Sequence, residues 1–293
     1  MPENISCDLC GSWESRILQD RVEEFKLPSP FKVVQCTRCG LVYQNPRMTE
    51  KEYETYYDSN YYSLINWNYL KIVEQKGKEY INKYNLIERH LKSKGKLLDI
   101  GCGTGHFLKI GKDRGWEVYG IELSKWAADY GRRNFNLDIR NINLEEVAGT
   151  WGVGFDVVTL NHVLEHLPSP SGAIKMISEI LHEEGLILIE VPNELDQLMF
   201  LVARVRKWWY NRLYNFYKGP IIHHTFFFTK DSLIKILERS QFQILYIRTL
   251  NEDMPIQSTR FGVGGQLVKK ILYKVGALIG RGPVIEVLAR KRK

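Results

Sequence analysis

The stretch that most restricts the fold is KLLDIGCGTGHF, residues 96–107. A short apolar run ends in Asp99, glycines follow at alternate positions, Gly101, Gly103 and Gly105, and helix-forming sequence comes next. Glycine takes up backbone conformations closed to other residues and lets a ligand approach the main chain closely. A strand that enters such a turn and leaves it as a helix opens a βαβ unit. A glycine turn can also be purely structural, so the rest of the chain decides whether this one holds a ligand.

The pattern repeats. A helix is expected over His106 to Asp113, ending near Gly115, and WEVYGIELS follows as a strand that closes in Glu122. An acid at the end of the second strand of a βαβ unit is placed to accept both hydroxyls of a ribose. LDIR, 137–140, is a short third strand. FDVVTLNHVLEHL supplies a fourth over Phe155 to Leu160, with Asn161 and His162 just beyond it and His166 expected on the same face of a following helix. ISEILHEEGLILIEVPN gives a helix, a turn at Gly185 and a fifth strand ending at Pro192 and Asn193, and FQILYIRTL, 242–250, is a sixth. This rhythm predicts an α/β, Rossmann-like fold with a mostly parallel sheet. Ligands in such sheets bind at the carboxyl ends of the strands, where Asp99, Glu122, Asn161 and Asn193 all fall. The GxGxG spacing departs from the GxGxxG of dinucleotide-binding loops, and no separate residue set for hydride transfer is visible.

Ahead of this domain, Cys7 with Cys10 and Cys36 with Cys39 form two Cys-x2-Cys knuckles. That spacing makes a tetrahedral four-thiolate zinc site with no open position, structural in role, in a ribbon module over 1–45. Residues 46–96 form a tyrosine-rich linker and entry helices. Tyr56, Tyr57, Tyr61 and Tyr62 are candidates for one wall of the site mouth, and an imperfect 3.6-residue pattern predicts a helix over 70–92. The catalytic domain is expected over 97–293, interrupted at 194–230 by an insertion that reads as a lid, a dimer face or, through the basic and aromatic 197–218, a peripheral membrane contact. Phe226 to Phe228 reads as core and Thr229 as the N-cap of a helix from Lys230 or Asp231.

The apolar fraction of 44% and aromatic fraction of 12% exclude a disordered chain, and the net charge of +7 is too mild to select a partner. The N-terminal residues lack a signal pattern and no apolar run reaches the length of a membrane span, so a cytoplasmic location is expected, with membrane association through the insertion as an option.

DIGCGTG, GIELS, FDVVTLNHVLEHLPSP and GLILIEVPN resemble the successive motifs of class I S-adenosylmethionine-dependent methyltransferases, over about residues 85–250. With the double knuckle in front, the chain is similar to the subgroup that includes sugar C-methyltransferases of antibiotic and surface-polysaccharide pathways. The resemblance implies that Asp99 helps to hold the amino acid end of S-adenosylmethionine. Gly101, Cys102, Gly103 and Gly105 would form the loop around it, Glu122 would bind the ribose, and Asn161 or His162 would sit beside the methionine moiety. Asn143 stands where an acid often meets the adenine. A histidine would be the general base, either His223 or His224 after the insertion, or His162. The resemblance also implies an antiparallel last strand, PVIEVLARKRK, at the sheet edge. The implied acceptor is a small molecule, a nucleotide-linked or lipid-linked sugar in polysaccharide or secondary-metabolite biosynthesis, and Arg260 is a candidate contact for its phosphate. The alternatives are an RNA (tRNA) methyltransferase and a non-catalytic binding or scaffold protein. Basic residues gathered in 204–218 and the tail, rather than along a groove, speak against nucleic acid.

Overall fold

A computed structural model describes residues 2–19, 31–49, 52, 66–198, 224–251 and 263–292. The N-terminal ribbon consists of β1 (Ser15–Gln19), β2 (Val33–Cys36) and β3 (Val42–Gln44), paired antiparallel. The helix expected over 70–92 is two helices, α1 (Asn66–Gln75) and α2 (Gly77–Glu88), broken at Lys76 beside a glycine that is a poor helix former. Tyr84 of α2 stacks at 4.5 Å on Phe107, from the helix over His106–Asp113, and both share a core with Leu97, Val157, Leu186 and Leu188 of the main sheet.

The main domain then runs β4 (Lys96–Ile100), α3 (His106–Asp113), β5 (Glu117–Ile121), α4 (Lys125–Phe135) and β6 (Asp138–Arg140). After a 3-10 turn at Leu144–Glu146 come α5 (Val147–Trp151) and β7 (Phe155–Asn161), then α6 (Pro170–Ile180) and β8 (Leu181–Pro192). The C-terminal part consists of β9 (Phe226–Phe227), α7 (Lys230–Arg239), β10 (Phe242–Leu250), α8 (Val263–Leu278) and β11 (Val284–Lys291). Ser124, Ser169 and Thr229 each cap the helix that follows by accepting a backbone N–H, as short hydroxyl side chains do.

The seven-stranded sheet has the order β10-β11-β8-β7-β4-β5-β6. Strands β4 to β8 are mutually parallel, and β11 is antiparallel to both neighbours. The last strand is therefore antiparallel as expected but does not lie at the edge, since β10 takes that position. Burial explains the order: β11 is buried without interruption from Val284 to Ala289, whereas β10 alternates with half-exposed and exposed residues and tolerates an edge.

One face of the sheet, with Leu98, Ile100, Val158, Leu160 and Ile187, shares a single core with Leu9, Val34, Leu41 and Tyr43 of the ribbon. The ribbon's sheet also gains its fourth strand from β9, where Val42 pairs with Phe227 and Tyr43 with Phe226. Asp8 accepts from Ser169 Oγ and Ser171 N–H at 2.7 and 2.8 Å, a polar clasp at the start of α6. Among the described residues no helix is long and apolar enough to cross a membrane. The tyrosines 56, 57, 61 and 62, most of the insertion (199–223, with His223) and Arg260 lie outside the described residues.

Candidate functional site

The parallel register sets Ile100, Ile121 and Leu160 side by side, so the segments after β4, β5 and β7 emerge together at one end of the sheet. The glycine loop leaves β4 with Gly101, Gly103 and Gly105 all at positive φ. At Gly101 a side chain would be strained and its Cβ would stand 2.5 Å from Val163 Cγ2, so the turn needs glycine there.

Glu122, just past β5, is buried, and its carboxylate bridges two backbone donors, Gly103 N–H at 2.9 Å and Ser124 N–H at 2.8 Å. Burial raises its pKa and these N–H groups work against that rise. The acid therefore ties the end of β5 to the loop after β4. Cys102 is buried with its thiol pushed well up, first by desolvation and then by Asp99 and Glu122. Asn143 begins the 3-10 turn after β6, where its N–H donates to Glu146 at 3.0 Å. Asn193 is buried and donates from Nδ2 to Gly282 C=O at 2.8 Å, locking β8 to the segment before β11.

Asp99 accepts from Thr159 Oγ1 at 2.6 Å and from Asn161 Nδ2 at 3.2 Å. Asn161 in turn accepts from Lys83 Nζ at 2.8 Å, and Lys83 pairs with Glu190 at 2.8 Å. Burial pushes the Asp99 carboxyl up to about 7, against the lowering effect of Thr159, Asn161 and Lys83, while Glu122 adds to the rise. The folded protein thus holds the Asp99 proton more tightly than the unfolded chain does. This stabilisation is present in full below about pH 4 and is lost as pH rises towards 7, a range worth at most about 4 kcal/mol. Urea unfolding of the ligand-free protein should show that decline between pH 4.5 and 7.5. Asp99→Asn should flatten it, and an unchanged slope in the variant would refute the assignment.

His162 follows β7 at φ +56°, a left-handed conformation unusual for a residue with a side chain. Its N–H donates to Glu190 C=O at 2.9 Å, and its ring Nε2 lies 2.9 Å from Glu190 Oε1. Burial works to raise the pKa of Glu190, but Lys83 and His162 outweigh it and keep the carboxyl below the usual range. The expected helix bearing His162 and His166 is absent. Only a single 3-10 turn, Leu164–His166, forms before Pro168, because the residue preceding a proline is driven to extended backbone. Both histidines nevertheless face the same buried acid, with His162 Nδ1 at 3.8 Å and His166 Nε2 at 3.7 Å from Glu165 Oε1. His224 is buried, pairs through Nδ1 with Glu194 Oε2 at 3.0 Å, and has its ring centre 4.8 Å from that of His166.

Lys83, Thr159, Glu165, Glu190 and Glu194 were not singled out from the sequence. A usable signal existed for one of them: Glu190 interrupts the apolar run LILIEVP. An acid inside a buried strand needs a partner.

In the ribbon, the four cysteines carry no disulfide and all four sulfurs lie within 4.8 Å of one another. Cys7 Sγ is 3.4 Å from Cys39 Sγ, and Cys10 Sγ is 3.5 Å from Cys36 Sγ. Zinc–sulfur bonds of roughly 2.3 Å set tetrahedral edges only slightly longer, so the cluster fits that ion. Burial raises the Cys36 thiol, but the N–H groups of Cys39 and Arg38 outweigh it and bring it down to about 7.

A family model described as a methyltransferase domain matches residues 72–247. The ubiquinone biosynthesis O-methyltransferase of Stutzerimonas stutzeri is 30% identical over 117 residues, 38% of this chain and 50% of that protein. The protein of the same name from Alkalilimnicola ehrlichii is 32% identical over 103 residues, 33% of this chain and 42% of that protein. The chain thus spans about half the length of the curated relatives it matches. The crystal structure of an S-adenosylmethionine-dependent methyltransferase from Archaeoglobus fulgidus superposes with a TM-score of 0.53 at 21% identity, covering 79% of this chain and all of that one. At that identity the likeness speaks for the fold, which is the mostly parallel seven-stranded sheet described above. With the matched family model spanning more than half of its residues, the chain belongs to the methyltransferase-domain family.

Proposed function

We propose that the protein transfers a methyl group from S-adenosylmethionine to a small acceptor, holding zinc in its ribbon for structural purposes. The observation that carries this reading is the convergence of the glycine loop, Glu122 and the Asp99–Asn161 pair at the carboxyl ends of β4, β5 and β7. Bound there, the donor supplies an activated methyl group on a sulfonium, which leaves the protein mainly the tasks of alignment and proton removal. Glu122 would hold the ribose hydroxyls, the glycine loop and Asp99 the amino acid end, and Asn143 the adenine end.

Of the three histidines considered as base, His162 has the best support. Its ring is oriented by Glu190 at 2.9 Å, it keeps 26% of its side chain exposed, and its backbone is in a strained conformation of the kind that gathers at functional positions. With Nε2 held by Glu190, the proton from the acceptor would be taken at Nδ1. His224 is buried and engaged by Glu194, which suits a supporting part.

For the acceptor, the finer reading is an activated sugar, supported by the ribbon ahead of the catalytic domain. The name of the curated relatives, ubiquinone biosynthesis O-methyltransferase, favours a second class, a hydroxyl of a quinone precursor, on the strength of the roughly half of their length that the chain shares with them. A screen of nucleotide sugars and quinone precursors with labelled donor separates the two.

Calorimetry tests the donor site directly. Wild-type protein is expected to bind S-adenosylmethionine, and Glu122→Gln to bind it about 10- to 100-fold more weakly, as loss of a charged hydrogen-bond acceptor implies. A folded wild-type protein without affinity for the donor would remove the proposed activity.

A further inference from the structure

We propose that Glu165, His166 and His224 form a second metal site, for a divalent first-row transition ion, beside His162 and apart from the cysteine cluster. Each of the three offers one ligand atom, and these atoms lie within 4.8 Å of one another. Glu165 and His166 come from the 3-10 turn after β7, while His224 follows the insertion. The two segments are clipped together by Thr225 N–H donating to Glu165 C=O at 2.9 Å, so the backbone holds the three side chains in place.

The independent sign of a ligand is the Glu165 carboxylate. Its side chain is 1% exposed and both of its oxygens lack a hydrogen-bond partner among the described residues. The imidazole nitrogens of His162 and His166 stand at 3.8 and 3.7 Å, beyond hydrogen-bond length. The charged neighbours of this carboxylate are imidazoles that stand off at ion-pair distance, so both oxygens stay open to a cation that would offset the cost of burying them. His224 adds a second sign, because its Nδ1 is fixed by Glu194 Oε2 at 3.0 Å, with Glu194 only 7% exposed. A carboxylate behind an imidazole sets the tautomer and presents Nε2 as the ligating nitrogen, as metal-bound histidines commonly require.

Two imidazoles and one carboxylate make a site with open positions, suited to zinc, iron(II), manganese or nickel rather than to magnesium or calcium. An ion there would stand next to His162 and could take an acceptor oxygen in an open position, lowering the pKa of the hydroxyl that His162 deprotonates. That role rests on the methyltransferase reading; the ion itself does not. The competing account has no ion: His224, whose pKa is lowered by burial but raised more by Glu194 and Glu165, would serve as a buried cation between two acids.

Cobalt(II) titration of the full-length protein, prepared with one equivalent of zinc in the ribbon and no second metal by elemental analysis, decides between them. The expected result is one further equivalent of cobalt, with the visible bands of nitrogen and oxygen coordination and without the charge-transfer band of thiolate ligands. Glu165→Gln and His224→Ala should each weaken that binding more than tenfold while the ribbon keeps its zinc. Glu194→Gln should weaken it about 10- to 100-fold, as loss of an outer carboxylate does. The inference is overturned if folded wild-type protein shows no saturable cobalt signal at about tenfold molar excess, or if Glu165→Gln binds cobalt as wild type does. Calorimetry with S-adenosylmethionine on the same samples keeps the two readings separable. Cobalt uptake without donor binding upholds the metal site and removes the methyltransferase reading, and donor binding without cobalt uptake does the reverse.

Discussion

Lys83→Met should destabilise the folded protein by about 3–5 kcal/mol, as breaking one side of a buried ion pair generally does. Lys83 and Glu190 are 3% and 0% exposed, and their charged atoms are 2.8 Å apart. Methionine matches much of the lysine stem and leaves Glu190 facing His162 alone, so the acid must either take up a proton or stay charged without its main partner. The loss should be largely recovered in the double variant Lys83→Met/Glu190→Gln, because removing both charges of a buried pair is far cheaper than removing one. Urea unfolding of the four members of the cycle measures the coupling. A single-variant loss under about 1 kcal/mol would mean that Glu190 is already neutral. Donor binding should also suffer in Lys83→Met, since Lys83 holds Asn161, which in turn holds Asp99.

Removal of the zinc proposed for the ribbon should have the second large effect. Chelation, or Cys36→Ser, is expected to melt β1 to β3 and to lower the midpoint of thermal unfolding by about 10 °C or more, the shift that a few kcal/mol produces in a domain of this size. The effect should not stay local. Leu9, Val34, Leu41 and Tyr43 belong to the same core as Phe226, Phe228, Leu233 and Ile236, so an unfolded ribbon uncovers the face of the main domain on which it lies. Hydrogen exchange should show β9 and the start of α7 losing protection together with the ribbon. Metal analysis that finds no zinc in wild-type protein, or a chelated protein with unchanged melting, would contradict this account.

Much of the main domain can be read from the residues alone. The helix over His106–Asp113 and the strand over 242–250 fall at the expected residues, because each is bounded by a strong local signal: a glycine turn before α3 and Gly115 after it, and the capped helix α7 ahead of β10. Position within the sheet was less legible. An apolar strand at the end of the chain fits either an edge or an interior place, and only its continuous burial between β8 and β10 separates the two. The residues proposed to hold the donor follow from strand ends, which periodicity locates well, and Asp99, Glu122 and Asn161 lie together there. The His162–His166 spacing misled because a left-handed residue and Pro168 prevent the helix that a four-residue interval suggests. Lys83 was hidden for another reason: a lysine in a mixed-charge helix looks solvated until the packing of α2 on the sheet brings it to Glu190. Contacts that join distant segments leave little trace in local pattern.

The fourth strand of the ribbon sets an order of events during synthesis. Cysteines 7 to 39 are made before any strand of the main sheet and, with the zinc proposed for them, would be able to gather first. The pairing of Val42 with Phe227 must wait until five of the seven strands of the main sheet have been made. Closing so distant a contact is slow compared with forming local structure, and an unpaired strand edge is an invitation to wrong partners in the meantime. The nascent chain therefore carries β3 with an open side until Phe227 has been made, and a ribbon already folded around the proposed zinc would hold that edge in the meantime.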